Sequence, residues 1–148
     1  MESIRIETGV KTLMVNDDPT RVISFNPGDV AFAERFYQLL KDFEVKQVEY
    51  QKRADELDAR QGVDEFGAPA NLADGIALMR DICNFLRERI DHLFGTGTSK
   101  AAFGDAMSLE MFEQFFAGIM PYIQKARSAK LEKYNQPTPS KKGRAVMK

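Results

Sequence analysis

The chain has no tryptophan, one cysteine (Cys83) and one histidine (His92). A single cysteine excludes an internal disulfide, and a reducing compartment suits it best. A single histidine cannot complete a usual zinc site, and no acid cluster has the spacing of a calcium loop. No apolar run is long enough to span a bilayer, and the opening "MESIRIETGV" lacks a secretory apolar core. The expectation is a cytoplasmic protein with no membrane partner. What the chain does hold is phenylalanine, eleven in 148 residues, within 43% hydrophobic residues. That balance is globular, and the length suits one domain with a real core.

Net charge is −1, but it is unevenly spread. Residues 125–148 carry eight Lys or Arg against one acid, Glu132, so an acidic body precedes a basic end. The basic end reads either as a solvated tail or as a segment that docks on an acidic partner or nucleic acid.

Hydropathy patterning divides the chain. "SIRIE" (3–7), "VKTLMV" (10–15) and "RVISF" (21–25) alternate at the strand period, with turn chemistry at Thr8-Gly9 and at "NDDPT" (16–20). About three short antiparallel strands are expected, one face of which helices must cover. "NPGD" (26–29) stops the last strand and supplies Asp29 as a helix cap.

The first helix then runs from about 29 to 60 on the stripe Phe32, Phe36, Leu39 and Phe43. Its second half is more polar, with a seam of Lys46, Tyr50, Arg53 and Leu57, and acid-to-base pairs Asp42–Lys46 and Glu49–Arg53. At about 45 Å it outreaches a body whose radius of gyration is about 14 Å. It reads as an arm, free to meet a second subunit, or as a long helix packed on the next one.

Leu72, Ile76, Met79, Cys83, Leu86, Ile90 and Leu93 alternate spacings of four and three, which predicts a helix over 72–94. Cys83 falls in that seam as a small buried hydrophobe. A third main helix, 108–135, carries Phe112, Phe115, Phe116, Ile119 and Ile123, with a kink expected near Gly118 because Pro121 interrupts its bonding. The fold class is α+β and mostly helical: one domain over 1–135, then a flexible basic tail over 136–148.

"GTGTSK" (95–100) has the look of a phosphate cradle. A Walker loop needs a preceding strand, four residues between its glycines, and Lys followed by Ser or Thr. Here the glycines are two apart, Lys100 follows Ser99, and a helix precedes. The dinucleotide fingerprint fails as well, because Lys100 stands where its third glycine belongs. The loop reads as a connection: Gly95 ends one helix, Thr98 or Ser99 caps the turn "KAAF", and Gly104 ends it. Glu88–His92 reads as a surface pair. No catalytic, cofactor or metal residues are assigned, and a non-enzyme is expected.

Two stretches, "RVISFNPGDVAFAERFYQLLKDFE" (21–44) and "IDHLFGTGTSKAAFGDAMSLEMFEQFFAGIMPYIQKAR" (90–127), resemble a family of small proteins from phages and prophages of Gram-positive bacteria. The pattern "FGxGTSxxxFGDAxSLxMFEQFF" carries most of that resemblance, and the family looks like the tail assembly chaperones of long-tailed phages. The resemblance implies a non-enzymatic tail morphogenesis factor in the host cytoplasm, binding the tape-measure protein or another tail protein. Such a factor needs apolar surface for amphipathic helices. Phe32, Phe36, Phe43, Phe112, Phe115 and Phe116 are the candidate partner residues, set against the plainer expectation that most of them form the core. Two other functions stay open: a structural tail or connector subunit, and a nucleic-acid-binding accessory protein using Lys141, Lys142, Arg144 and Lys148.

Overall fold

Asp29 starts the first helix as its composition suggests. In the computed structural model, which describes residues 1–135, the Asp29 carboxylate accepts the Ala31 amide at 3.0 Å. The expected tail at 136–148, with Lys141, Lys142, Arg144 and Lys148, lies outside the described residues. The element order is β1 (Lys11–Val15), β2 (Asp18–Phe25), α1 (Val30–Asp58), α2 (Leu72–Phe94), α3 (Thr98–Phe103) and α4 (Leu109–Asn135). The fold is α+β and mostly helical.

Two strands form, against an expectation of about three. β1 and β2 pair antiparallel, Lys11 opposite Phe25 and Met14 opposite Val22, through a two-residue turn at Asn16 and Asp17. Both turn residues take positive φ, 54° and 60°, the tight-hairpin geometry that Asn and Asp tolerate. The register slips between Met14 and Val15, so β2 begins at Asp18 and its first residues bulge out. Pro19, which has no amide to donate, sits in that irregular stretch. The third expected strand, 3–7, pairs with nothing among the described residues, and Ile4 and Ile6 are 85% and 73% exposed. The chain is turned aside just before β1: Gly9 takes φ +82°, and the Asn26 side-chain amide donates to the Thr8 carbonyl.

The inner face of the sheet carries Leu13, Val15, Ile23 and Phe25, and the core lies beneath it. Phenylalanine rings tie the elements together. Phe25 of β2 meets Phe32 of α1 and Phe94 of α2 at 5.7 and 5.4 Å between centroids. Phe94 meets Phe115 of α4 at 5.3 Å, and Phe115 meets Phe103 of α3 at 5.5 Å. Edge-on geometry recurs because the positive ring edge favours a neighbour's negative face. Ile90 and Cys83 of α2 are fully buried at the centre of this cluster.

α1 does not project as a free arm. It lies along α2 as one half of a helical hairpin, joined by Arg89–Asp42 at 2.8 Å, Arg53–Asp81 at 2.9 Å, and an Arg60–Asp74 contact. Of the pairs expected within α1, Asp42 and Arg53 therefore turn to partners on α2, while Lys46 and Glu49 meet each other at 3.8 Å. Proximity explains the change, since a second helix offers longer side chains a more direct partner than the next turn does. α4 is one helix through Pro121.

Candidate functional site

The phosphate-cradle reading of 95–100 can be settled by geometry. An anion at the start of α3 would need the free amides of its first turn. The Asp91 carboxylate, reaching from the last turn of α2, already accepts the Ser99 amide at 2.7 Å and the Ser99 hydroxyl at 3.0 Å. A fixed negative charge thus stands where a phosphate would have to sit. The cap comes from Asp91, not from Thr98 or Ser99 as expected from sequence; both are buried.

The other end of α3 is held by two arginines. Arg21 of β2 donates to the Ala101 and Ala102 carbonyls at 2.9 and 2.7 Å. Arg87 of α2 donates to the Gly104 and Ala106 carbonyls, both at 2.7 Å, and lies 5.6 Å from the Phe103 ring centre. Cations at a helix C-terminus satisfy carbonyls that have no partner within the helix. Lys100 is spent on Asp105, and their contact holds the Asp105 carboxyl below its ordinary value. The bend is a clamp joining β2, α2 and α3.

Other candidates are equally committed. Cys83 is buried among apolar side chains, and that burial pushes its thiol up, away from the reactive thiolate, although Arg87 and Arg80 pull the other way. Glu88 and His92 are exposed and form no ion pair with each other. No three His, Cys, Asp or Glu side chains gather in a metal-binding group among the described residues.

The six candidate phenylalanines separate into two groups. Phe32, Phe36 and Phe112 are buried in the core. Phe32 and Phe36 line neither of the two clefts described below, whereas Phe112 forms part of the wall of the first. Phe43, Phe115 and Phe116 are half-buried. Phe43 and Phe116 line a groove of about 760 Å³ between α1, α2 and α4, while Phe115 borders a second cleft beside the sheet.

That groove exists because α4 covers only part of α2. The α2 seam reads as one stripe in sequence, yet its members have two fates. Cys83, Leu86, Ile90 and Leu93 are buried, whereas Leu72, Ile76 and Met79 remain 46%, 56% and 43% exposed. On α1, Leu40 is 49% exposed. Met79 and Leu40 stand on the groove with Ile82, Phe43 and Phe116, and its polar lining is Gln47, Gln51 and Glu113. Tyr50 forms part of its wall; burial pushes the phenol up, assisted by the carboxylates of Glu49 and Asp81.

The loop joining the hairpin adds further apolar surface at the same end. Asp64 fixes it by accepting the Phe66 and Ala68 amides at 2.8 and 2.9 Å, and Val63 bridges to Pro69. On this ordered turn Phe66 and Val63 are 86% and 68% exposed. Sequence reasoning missed Leu40, Phe66, Leu72, Ile76 and Met79 as surface residues. The signal was available only indirectly: the α2 seam is longer than the α4 stripe that could cover it.

Residues 20–148 match the family described as DUF6673, a family of unknown function. The chain belongs to this family. The match takes in all four helices, and therefore every residue of the groove. No curated protein and no solved structure matches the chain.

Proposed function

We propose that this protein works by binding and performs no catalysis, acting as a phage tail morphogenesis factor, a tail assembly chaperone that holds an amphipathic helix of the tape-measure protein in the α1–α2–α4 groove. The observation that carries the reading is the split seam of α2. The first three seam residues stay partly in water, and the last of them, Met79, shares a groove with Leu40 and two half-buried phenylalanines, an apolar surface of the kind that marks an interaction site. An amphipathic helix lays residues at i, i+3, i+4 and i+7 into such a groove, and the flexible Met79 can adjust to each one in turn. The resemblance of residues 21–44 and 90–127 to phage tail proteins supports the choice of partner, and the host cytoplasm is where tails are built. No helix among the described residues is long and apolar enough to cross a membrane.

Co-expression with the tape-measure protein of the same prophage tests this. A soluble complex is expected, lost when Leu40→Asp and Met79→Asp place charges in the groove. Complex formation that survives both substitutions in a folded protein would overturn the site, and a tape-measure protein equally soluble alone would overturn the function.

A further inference from the structure

We propose that residues 3–7 are a strand supplied to a second copy of this chain, where they add to the free edge of β1 above the cleft between the sheet and α4. The first observation is a strand without a sheet. Ile4 and Ile6 alternate with polar residues at the strand period, yet both stand in water and residues 1–10 join no sheet. The second is a sheet edge without a strand: β1 pairs with β2 alone, which leaves its other side open for pairing.

The third observation is the shape beside that edge. A cleft of about 490 Å³ is lined by Leu13, Met14 and Val15. Arg21 and Ile23 of β2 line it as well, so it runs beneath the inner face of the hairpin towards α4. Across it stand Phe115, Gly118 and Tyr122 of α4, and a side chain added at Gly118 would meet nothing within 4 Å. An added strand would find main-chain partners on β1 and room for two isoleucines below.

The segment cannot readily fill its own cleft. Folding back onto β1 would need a two-residue turn at Thr8-Gly9. The hairpin turns that match strand twist need positive φ at their first central position, which β-branched Thr8 resists. Gly9 instead supplies positive φ at the second position, and Asn26 holds the Thr8 carbonyl. Residues 1–7 therefore leave at the Lys11 end of β1, while the cleft extends towards Asn16 and Asp17. Seven extended residues reach about 23 Å, enough to meet a neighbouring edge. Reciprocal exchange closes as a two-fold dimer. This cleft shares no lining residue with the α1–α2–α4 groove, so the exchange can be tested separately from the groove.

Light scattering on the full chain, with circular dichroism to monitor folding, tests the exchange. Wild type should have twice the 16.8 kDa chain mass. Removing residues 1–7, or making Ile4→Asp with Ile6→Asp, should halve that mass and leave the helical signal unchanged. Amides of residues 4–6 should resist hydrogen exchange in the dimer and lose that protection on dilution to monomer. A monomeric wild type, a dimer that survives the deletion, or protection of 4–6 in the monomer would each overturn the proposal.

Discussion

The base of the molecule and its distal hairpin are written in the same helical repeat and end in different environments. At the base, β2, α3, α4 and the later half of α2 close around Phe25, Phe94, Phe103 and Ile90, all of them buried. In the distal half, Tyr50, Leu57 and Leu78 make a separate small cluster between only two helices. Two helices cannot surround each other's apolar stripes, so Leu72, Ile76 and Met79 stay partly wet. A periodic seam reports that a helix has an apolar face. It does not report whether another element is present to cover it.

The largest effect that should separate the two regions comes from core truncation at the base. Phe112→Ala removes a ring that is 2% exposed and whose centre lies 4.7 Å from that of Phe103, tilted at 59°. It should cost about 3–5 kcal/mol in denaturant unfolding, enough to unfold much of a marginal domain. Leu78→Ala in the distal cluster should cost less, about 2–3 kcal/mol, since its site can collapse or admit water. Hydrogen exchange should then show protection lost mainly in residues 46–80 and retained around Ile90. Uniform loss would mean that base and hairpin unfold as one unit, which would break the comparison.

Next in size is the clamp at the bend. Asp91→Ala removes both bonds to Ser99 and leaves the amide and hydroxyl of that buried serine without their partner. A loss of about 1–2 kcal/mol is expected. Asp91→Asn should recover part of it, because the amide oxygen can still accept from the Ser99 backbone. If the carboxylate were instead a reacting group, stability would stay the same.

Smaller still, Ile76→Ser and Met79→Ser should shift stability by no more than about 0.5 kcal/mol, since these side chains are about half in water already. Partner binding should fall many-fold. That inversion, with little effect on folding and a large effect on binding, is the mark of a surface kept apolar for association.

The smallest effect concerns the exposed Lys100–Asp105 pair. Hydrogen bonding to Lys100, then its charge, holds the Asp105 carboxyl below the ordinary 3.8. A depressed folded value means the contribution is present at neutral pH and disappears as pH falls through that lower value. Solvent screens the pair, so Asp105→Asn should lower the melting temperature only slightly at pH 7, and the difference from wild type should vanish in strong acid.

Local chemistry was legible wherever a single element decides it. The four-three spacing gives α2 its bounds of 72 and 94, and Asp29 caps α1 as its position before the Phe32 stripe suggests. Contacts between elements were not legible. Residues 3–7 alternate at the strand period, but no strand forms there, because pairing with β1 needs a turn that Thr8 and Gly9 do not make. Asp42 and Arg53 have helical partners four residues away, yet Arg89 and Asp81 lie closer once α2 is alongside. The phenylalanines were conspicuous, but ten of the eleven meet another aromatic ring inside the chain. The exception, Phe66, sits in the loop where no periodicity marks it.

Site-specific photocrosslinking in phage-producing cells tests the binding account most directly, with the reactive group placed at Met79 in the groove or at exposed Glu88 on the opposite side of α2. The account predicts an adduct with the tape-measure protein from position 79 and none from position 88. Adducts from both positions alike, or from neither while the protein remains folded, would contradict it.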